Sequence, residues 1–145
     1  MPVSTNEANY RRLIDEGFNR GNLAVVDELV APDAIEHQRG SGPGREGVIR
    51  TINALRGAFP DFTLTIEDLV ADGDHVWARQ RGGGTNLGRF FGHPPTGKQA
   101  YIEVVDVCRF EDGKVVEHWG VPDQLGMLMA LGLVSPPSRP EPAAI

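Results

Sequence analysis

The stretch YIEVVDVCRFEDGKVVEHWG, residues 101–120, decides the fold. Its first eleven residues are rich in β-branched and aromatic side chains and read as a long strand. Asp112-Gly113 follows, a dipeptide that favours the positive φ angles of a two-residue hairpin turn. KVVEHWG then returns as the partner strand. The same pattern stands upstream. FTLTIEDLV, residues 62–70, alternates with a period of two, Phe62, Leu64 and Ile66 on one side and Thr63 and Thr65 on the other. Asp72-Gly73 marks its turn, and HVWARQRGG continues as the second half of that hairpin. The loop GHPPTGK, residues 92–98, joins the two hairpins.

Outward from the hairpins the period changes to that of a helix. Thr5 or Asn6 can cap a first helix with Leu13, Ile14, Gly17 and Phe18 on one face, ended by Gly21. Asn22 can cap a second, LAVVDELV, which stops before Pro32. A short strand over residues 34–38 and a loop, RGSGPGREG, come next. VIRTINALRGAF places Val48, Ile52, Leu55 and Phe59 at helical spacing and ends near Pro60. After the hairpins, Asp123 caps a last helix, QLGMLMAL, with Gly132 just past its end. Helices, then hairpin-linked strands, then one closing helix give an α+β fold with a curved antiparallel sheet. The domain spans residues 1–133, and 134–145 form a Pro-rich, mobile tail.

Composition narrows the function. The 145 residues carry 14 Lys and Arg against 20 Asp and Glu, a formal net charge of −6. With the Arg residues scattered among acids, neither nucleic acid nor an anionic membrane is expected as a partner. Cys108 is the only cysteine, which excludes an intramolecular disulfide and a thiolate-rich zinc site. The four His have no metal-like spacing, so no metal is expected. The N-terminus lacks the apolar core of a secretory signal, and no apolar run nears the length of a membrane span, so the expected location is the cytoplasm. The glycines of RGGGTNLGRF lack the strand–turn–helix context of a phosphate loop and read as a bend in a strand.

With a two-residue turn at Asp112-Gly113 and no bulge, Phe110 lies opposite Val115, Cys108 opposite Glu117, and Asp106 opposite Trp119. Asp106, Cys108, Glu117 and Trp119 then share one face, a polar and aromatic one suited to a ligand pocket or to solvent. Val105, Val107, Val116 and His118 share the other, which reads as plain core. By alternation His75, Trp77, Arg79 and Arg81 share a face, either a pocket wall or an outer surface. His37 is a candidate at the pocket mouth. His93 sits in an exposed loop that can gate a cavity. His75 and His118 read as structural, Met127 and Met129 as packing residues. On its own residues Asp123 is an ordinary helix cap.

The runs FNRGNLAVVDELVAPDAIEH, GHPPTGK, VCRFEDGKVVEHW and VPDQLGMLMALG, in that order over residues 8–133, resemble the SnoaL-like polyketide cyclases, or ester cyclases, of the NTF2-like superfamily. The resemblance implies a cone-shaped α+β fold around a pocket and a homodimer or homotetramer. It also implies cofactor-independent acid–base chemistry on a hydrophobic carbonyl substrate, typically intramolecular aldol closure of a polyketide. It places the acid–base role on Asp123, in the motif VPDQLG, and puts Asp106 where the family commonly has His. Asp123 and Asp106 are thus the catalytic candidates, with His37, Trp77, Arg79, Trp119 and Cys108 as candidate substrate contacts. The alternatives on this fold are an epoxide or lactone hydrolase, with Arg79 or Arg81 bridging the two Asp residues, and a non-catalytic binding or assembly module. A steroid-isomerase arrangement would need a Tyr at Ile14, one turn from Tyr10.

Overall fold

The structure, a computed structural model, describes residues 4–143. The ends of the expected domain and tail, residues 1–3 and 144–145, lie outside the described residues. Helix α1, Thr5–Arg12, is capped one residue earlier than expected: Ser4 Oγ accepts from the Glu7 N–H at 3.1 Å. It runs on into a π-helical segment, Leu13–Phe18, where the Asn19 N–H reaches the Ile14 carbonyl. Tyr10, Leu13, Ile14 and Gly17 face the core from this pair. Asn22 caps α2, Leu23–Leu29, as its sequence suggests. Strand β1, Val30–Glu36, begins four residues before the expected strand and carries Pro32 at an edge of the sheet, where a missing N–H is tolerated. Helix α3, Gly44–Ala58, ends before Pro60 as read.

Strands β2, Thr63–Asp72, β3, His75–Thr85, β4, Gln99–Glu111, and β5, Lys114–Pro122, form consecutive antiparallel pairs. The second turn has Asp112 at φ 50° and Gly113 at φ 77°, the pair of left-handed residues that a type I′ turn requires. Spatial order is β1-β5-β4-β3-β2, an open, curved sheet. Because β1 pairs with β5 in parallel, the sheet is mixed rather than wholly antiparallel. The chain can do this because α3 and three strands separate the two partners, so no tight turn dictates their direction. In β3, a side chain at Gly83 would strike the Ala100 carbonyl oxygen, so β3 and β4 approach there as only glycine allows.

Helix α4, Gln124–Ala130, closes the domain and ends at Gly132, φ +74°, in the expected C′ position. Leu13, Val26, Ile52 and Phe59 from the helices pack with Leu64, Val76, Ala78, Cys108 and Phe110 on the inner, concave face of the sheet. Fully burying each large apolar side chain is worth about 1.5–3 kcal/mol. Residues 135–143 form no helix or strand and are exposed.

Candidate active site

One extra residue changes which side chains meet. Phe110 does lie opposite Val115, but Arg109, not Cys108, lies opposite Glu117. Val116 is the additional residue, a β-bulge in β5. Beyond it every side chain of β5 is inverted relative to the unbulged pairing, because the strand period is two. Asp106 and Cys108 therefore share the concave face with His118, while Glu117 and Trp119 turn outward beside Val105 and Val107. Val105 is exposed rather than core.

On the concave face Asp106 is 8% exposed and receives three donors. The Tyr10 hydroxyl donates to Oδ2 at 3.0 Å, the Gln80 amide to the same oxygen at 2.8 Å, and His118 Nε2 to Oδ1 at 3.1 Å. Three donors on two oxygens are the pattern of an ionised carboxylate. His118 Nδ1 meets Glu36 at 2.7 and 2.9 Å. Glu36 in turn accepts from the Gln38 backbone N–H. Five side chains from α1, β1, β3, β4 and β5 thus form one chain of hydrogen bonds through the middle of the cone.

The electrostatics follow from that chain. Burial by itself disfavours the charged imidazole of His118, but the bonds to Asp106 and Glu36, and their charges, outweigh it and push the ring up to about 10. His118 is an imidazolium at neutral pH, shared between two carboxylates. Burial, reinforced by the charge of Asp106, raises the Tyr10 phenol well above its usual value, so Tyr10 is a neutral donor. Cys108 lies in the core on the same face. Burial and the charges of Asp106 and Glu36 push its thiol well up, which leaves it unreactive.

The remaining candidates lie elsewhere. Asp123 is exposed at the end of β5 and caps α4, its Oδ1 accepting from the Gly126 N–H at 3.0 Å. A side chain at Gly126 would strike the Asp123 carboxylate, so the Gly of PDQLG serves this cap. The ladder pairs Asp106 with Gly120, and three further residues of extended chain set Asp123 about 10 Å along the sheet. The two carboxylates share no hydrogen-bond partner. His37, Trp77, Arg79 and Trp119 occupy the outer face, away from Asp106. His37 stacks on Trp119 with ring centroids 4.8 Å apart and bonds Glu117 at 2.7 Å. Arg79 pairs loosely with Glu103, and Arg81 lies over the Tyr101 ring. With both Arg residues on that face, no Arg bridges Asp106 and Asp123. Tyr10, at the register set aside in favour of Ile14, is the tyrosine that reaches the site. Among the described residues no cluster of three or more His, Cys, Asp or Glu side chains is arranged to hold a metal ion. No helix among them is long and apolar enough to cross a membrane.

Gln80 and Glu36 were not singled out by sequence reasoning, His118 was read as structural, and Tyr10 entered only through the steroid-isomerase alternative. A signal for Gln80 was available: it follows Val76 and Ala78 in the apolar phase of β3, where a polar residue has to find partners.

An open curved sheet wrapped on helices, with a buried polar chain on its concave face, defines an NTF2-like cone. The chain belongs to the SnoaL-like polyketide cyclase family, whose model matches residues 8–131. It is similar to the nogalonic acid methyl ester cyclase of Streptomyces nogalater, with 31% identity over 79% of this chain and 89% of the relative. The aklanonic acid methyl ester cyclase DnrD of Streptomyces peucetius is 28% identical over 90% and 92%. Among solved structures, IdmH of Streptomyces antibioticus, described as a candidate polyketide cyclase, superposes with a TM-score of 0.78 at 37% identity, covering 89% of this chain and 99% of IdmH.

Proposed function

We propose that this protein closes a ring in a polyketide-like carbonyl substrate by acid–base catalysis without a cofactor, with Asp106 as the proton-handling group. The observation that carries this is a buried carboxylate on the concave face, held by three donors on three separate elements. Asp106 removes a proton from the carbon between or beside carbonyls. The resulting enolate attacks a second carbonyl carbon, and a carbon–carbon bond forms as the C=O π bond opens. The new alkoxide takes the proton back from Asp106, so the reaction is an isomerisation with no net redox change. Two of the relatives named above are cyclases of nogalonic and aklanonic acid methyl esters, which supports a substrate of that class.

Asp123 is the second carboxylate to test. Asn caps a helix as well as Asp does, so Asp123→Asn removes a charge without disturbing α4. Aklanonic acid methyl ester is offered to Asp106→Asn and Asp123→Asn, and the cyclised product is followed by mass spectrometry and chromatography. Loss of at least 100-fold in Asp106→Asn with Asp123→Asn near wild type supports the assignment. The opposite ranking moves the chemistry to Asp123 and refutes it.

The outer face supports a homodimer. Val70, Trp77, Val105 and Val121 are exposed there, Val121 at 72%. A shallow pit of about 170 Å³, walled by Leu69, Val70, Trp77, Ala78 and Val105, lies beside them. Val105 pairs across the ladder with Val121 and stands between that knob and the pit. A two-fold axis over Val105 seats the Val121 of each copy in the pit of the other. Five strands at ~4.8 Å spacing offer a face of the size a stable pair buries, about 800 Å² per partner.

A further inference from the structure

Among the described residues, one buried side-chain polar atom has no hydrogen-bond partner: Oε1 of Gln80. Gln80 is 0% exposed and sits on the concave face of β3. Its amide nitrogen donates to Asp106 Oδ2 at 2.8 Å, and that bond fixes which way the amide faces. Turning it over would set two oxygens together while Asp106 is still receiving Tyr10 and His118. The carbonyl oxygen is thus held in place and buried, with no protein donor in reach. Leaving an acceptor so costs stability, and such a group calls for an explanation.

We propose that Gln80 Oε1 receives a hydroxyl of the substrate, an enol or phenol O–H, and so selects hydroxylated polyketides and orients them beside Asp106. The inference rests on the polyketide reading above. A lone acceptor discriminates by chemistry: an O–H satisfies it, whereas an ether oxygen or a C–H leaves it unmet. Near it the surface carries an open cleft of about 620 Å³, where Ile14, Leu64 and Ile66 line the wall together with charged side chains such as Arg12 and Glu16. Ile66 is the cross-strand partner of Gln80, and Ile14 follows Tyr10 by four residues. On this proposal Ile66 moves to admit a planar ring system from that cleft to Gln80.

The test is binding of 2,6-dihydroxyanthraquinone, 2,6-dimethoxyanthraquinone and unsubstituted anthraquinone to the full chain, followed by calorimetry or tryptophan fluorescence. The three share one ring system and differ only in the group offered. The dihydroxy compound is expected to bind about ten- to a hundredfold more tightly than the other two. In Gln80→Met, which keeps the volume and removes the acceptor, that preference is expected to vanish. Equal binding of all three to the wild type overturns the hydroxyl assignment and leaves the polyketide reading standing. A preference that persists in folded Gln80→Met overturns the role of Gln80. Failure of all three rings to bind refutes both readings. The wild-type comparison decides even where Gln80→Met does not fold.

Discussion

Replacing Asp106 by Asn keeps the shape of the side chain and removes one oxygen acceptor. If the Asn oxygen stays with Tyr10 and Gln80, its NH₂ faces His118 Nε2, which must then give up its proton and accept. The imidazolium loses one of its two carboxylates and retains Glu36. In the wild type those two partners lift His118 from 6.5 to about 10 against the cost of burial. At ~1.36 kcal/mol per pH unit the rise is worth about 5 kcal/mol, so the Asp106 share is about 2 kcal/mol. With a urea dependence of ~1–3 kcal/mol per molar, Asp106→Asn should lower the unfolding midpoint by about 0.7–2 M at pH 7. The sign with pH also follows. A group whose folded value is raised stabilises fully below its unfolded value, near 6.5, and that contribution is lost as pH rises through about 10. The gap between wild type and variant should therefore narrow as urea unfolding is repeated up to pH 10.5. NMR of the His118 ring should show a titration near 10 in the wild type and a clear fall in the variant. A wild-type ring that titrates near 6.5, or an unchanged urea midpoint in Asp106→Asn, would refute the coupling.

Three further outcomes are expected. Asp123→Ala should cost about 1 kcal/mol through loss of the α4 cap, while Asp123→Asn stays within a few tenths, both read by urea unfolding; equal losses would mean that the charge, not the cap, matters. Val121→Arg and Trp77→Glu should each shift the protein toward monomer in light scattering without lowering its melting temperature by more than a few degrees, and an unchanged dimer would place the interface elsewhere. Deleting residues 135–145 should leave the melting temperature within about 1 °C, since 135–143 are exposed and form no helix or strand; a larger drop would show that the tail packs on the domain.

Much of the fold was legible because its signals are local. Alternation in FTLTIEDLV, the Asp-Gly turns and the Asn22 and Asp123 caps each act within a few residues. The parallel pairing of β1 with β5 joins residues more than eighty apart and leaves no local mark. The faces were misjudged for a different reason. Taking Trp77 and Arg79, from a β3 face that could be pocket wall or outer surface, as substrate contacts overlooked that Val76 and Ala78 define the inner phase. In β4 likewise, Ala100, Cys108 and Phe110 are buried in the same phase as Asp106. A polar residue interrupting an apolar phase was the better pointer than a polar phase. Val116 completed the inversion, since one bulged residue exchanges the two faces of everything beyond it in β5.

That bulge also accounts for why the site exists. Without it, Trp119 would face Asp106 and His118 would point to the outside, leaving the carboxylate with two neutral donors and no cation. With it, an imidazolium lies between Asp106 on β4 and Glu36 on β1, and the parallel register of β1 beside β5, Glu36 against His118, brings Glu36 within reach. A buried ion triad of this kind is costly to desolvate and is often matched in stability by apolar residues of similar volume. Its retention in the centre of an otherwise apolar core, together with an unmet acceptor on Gln80, is therefore hard to assign to stability. The proposed proton transfer at Asp106 would give both features one explanation, a carboxylate positioned for the reaction and a carbonyl beside it free for the substrate.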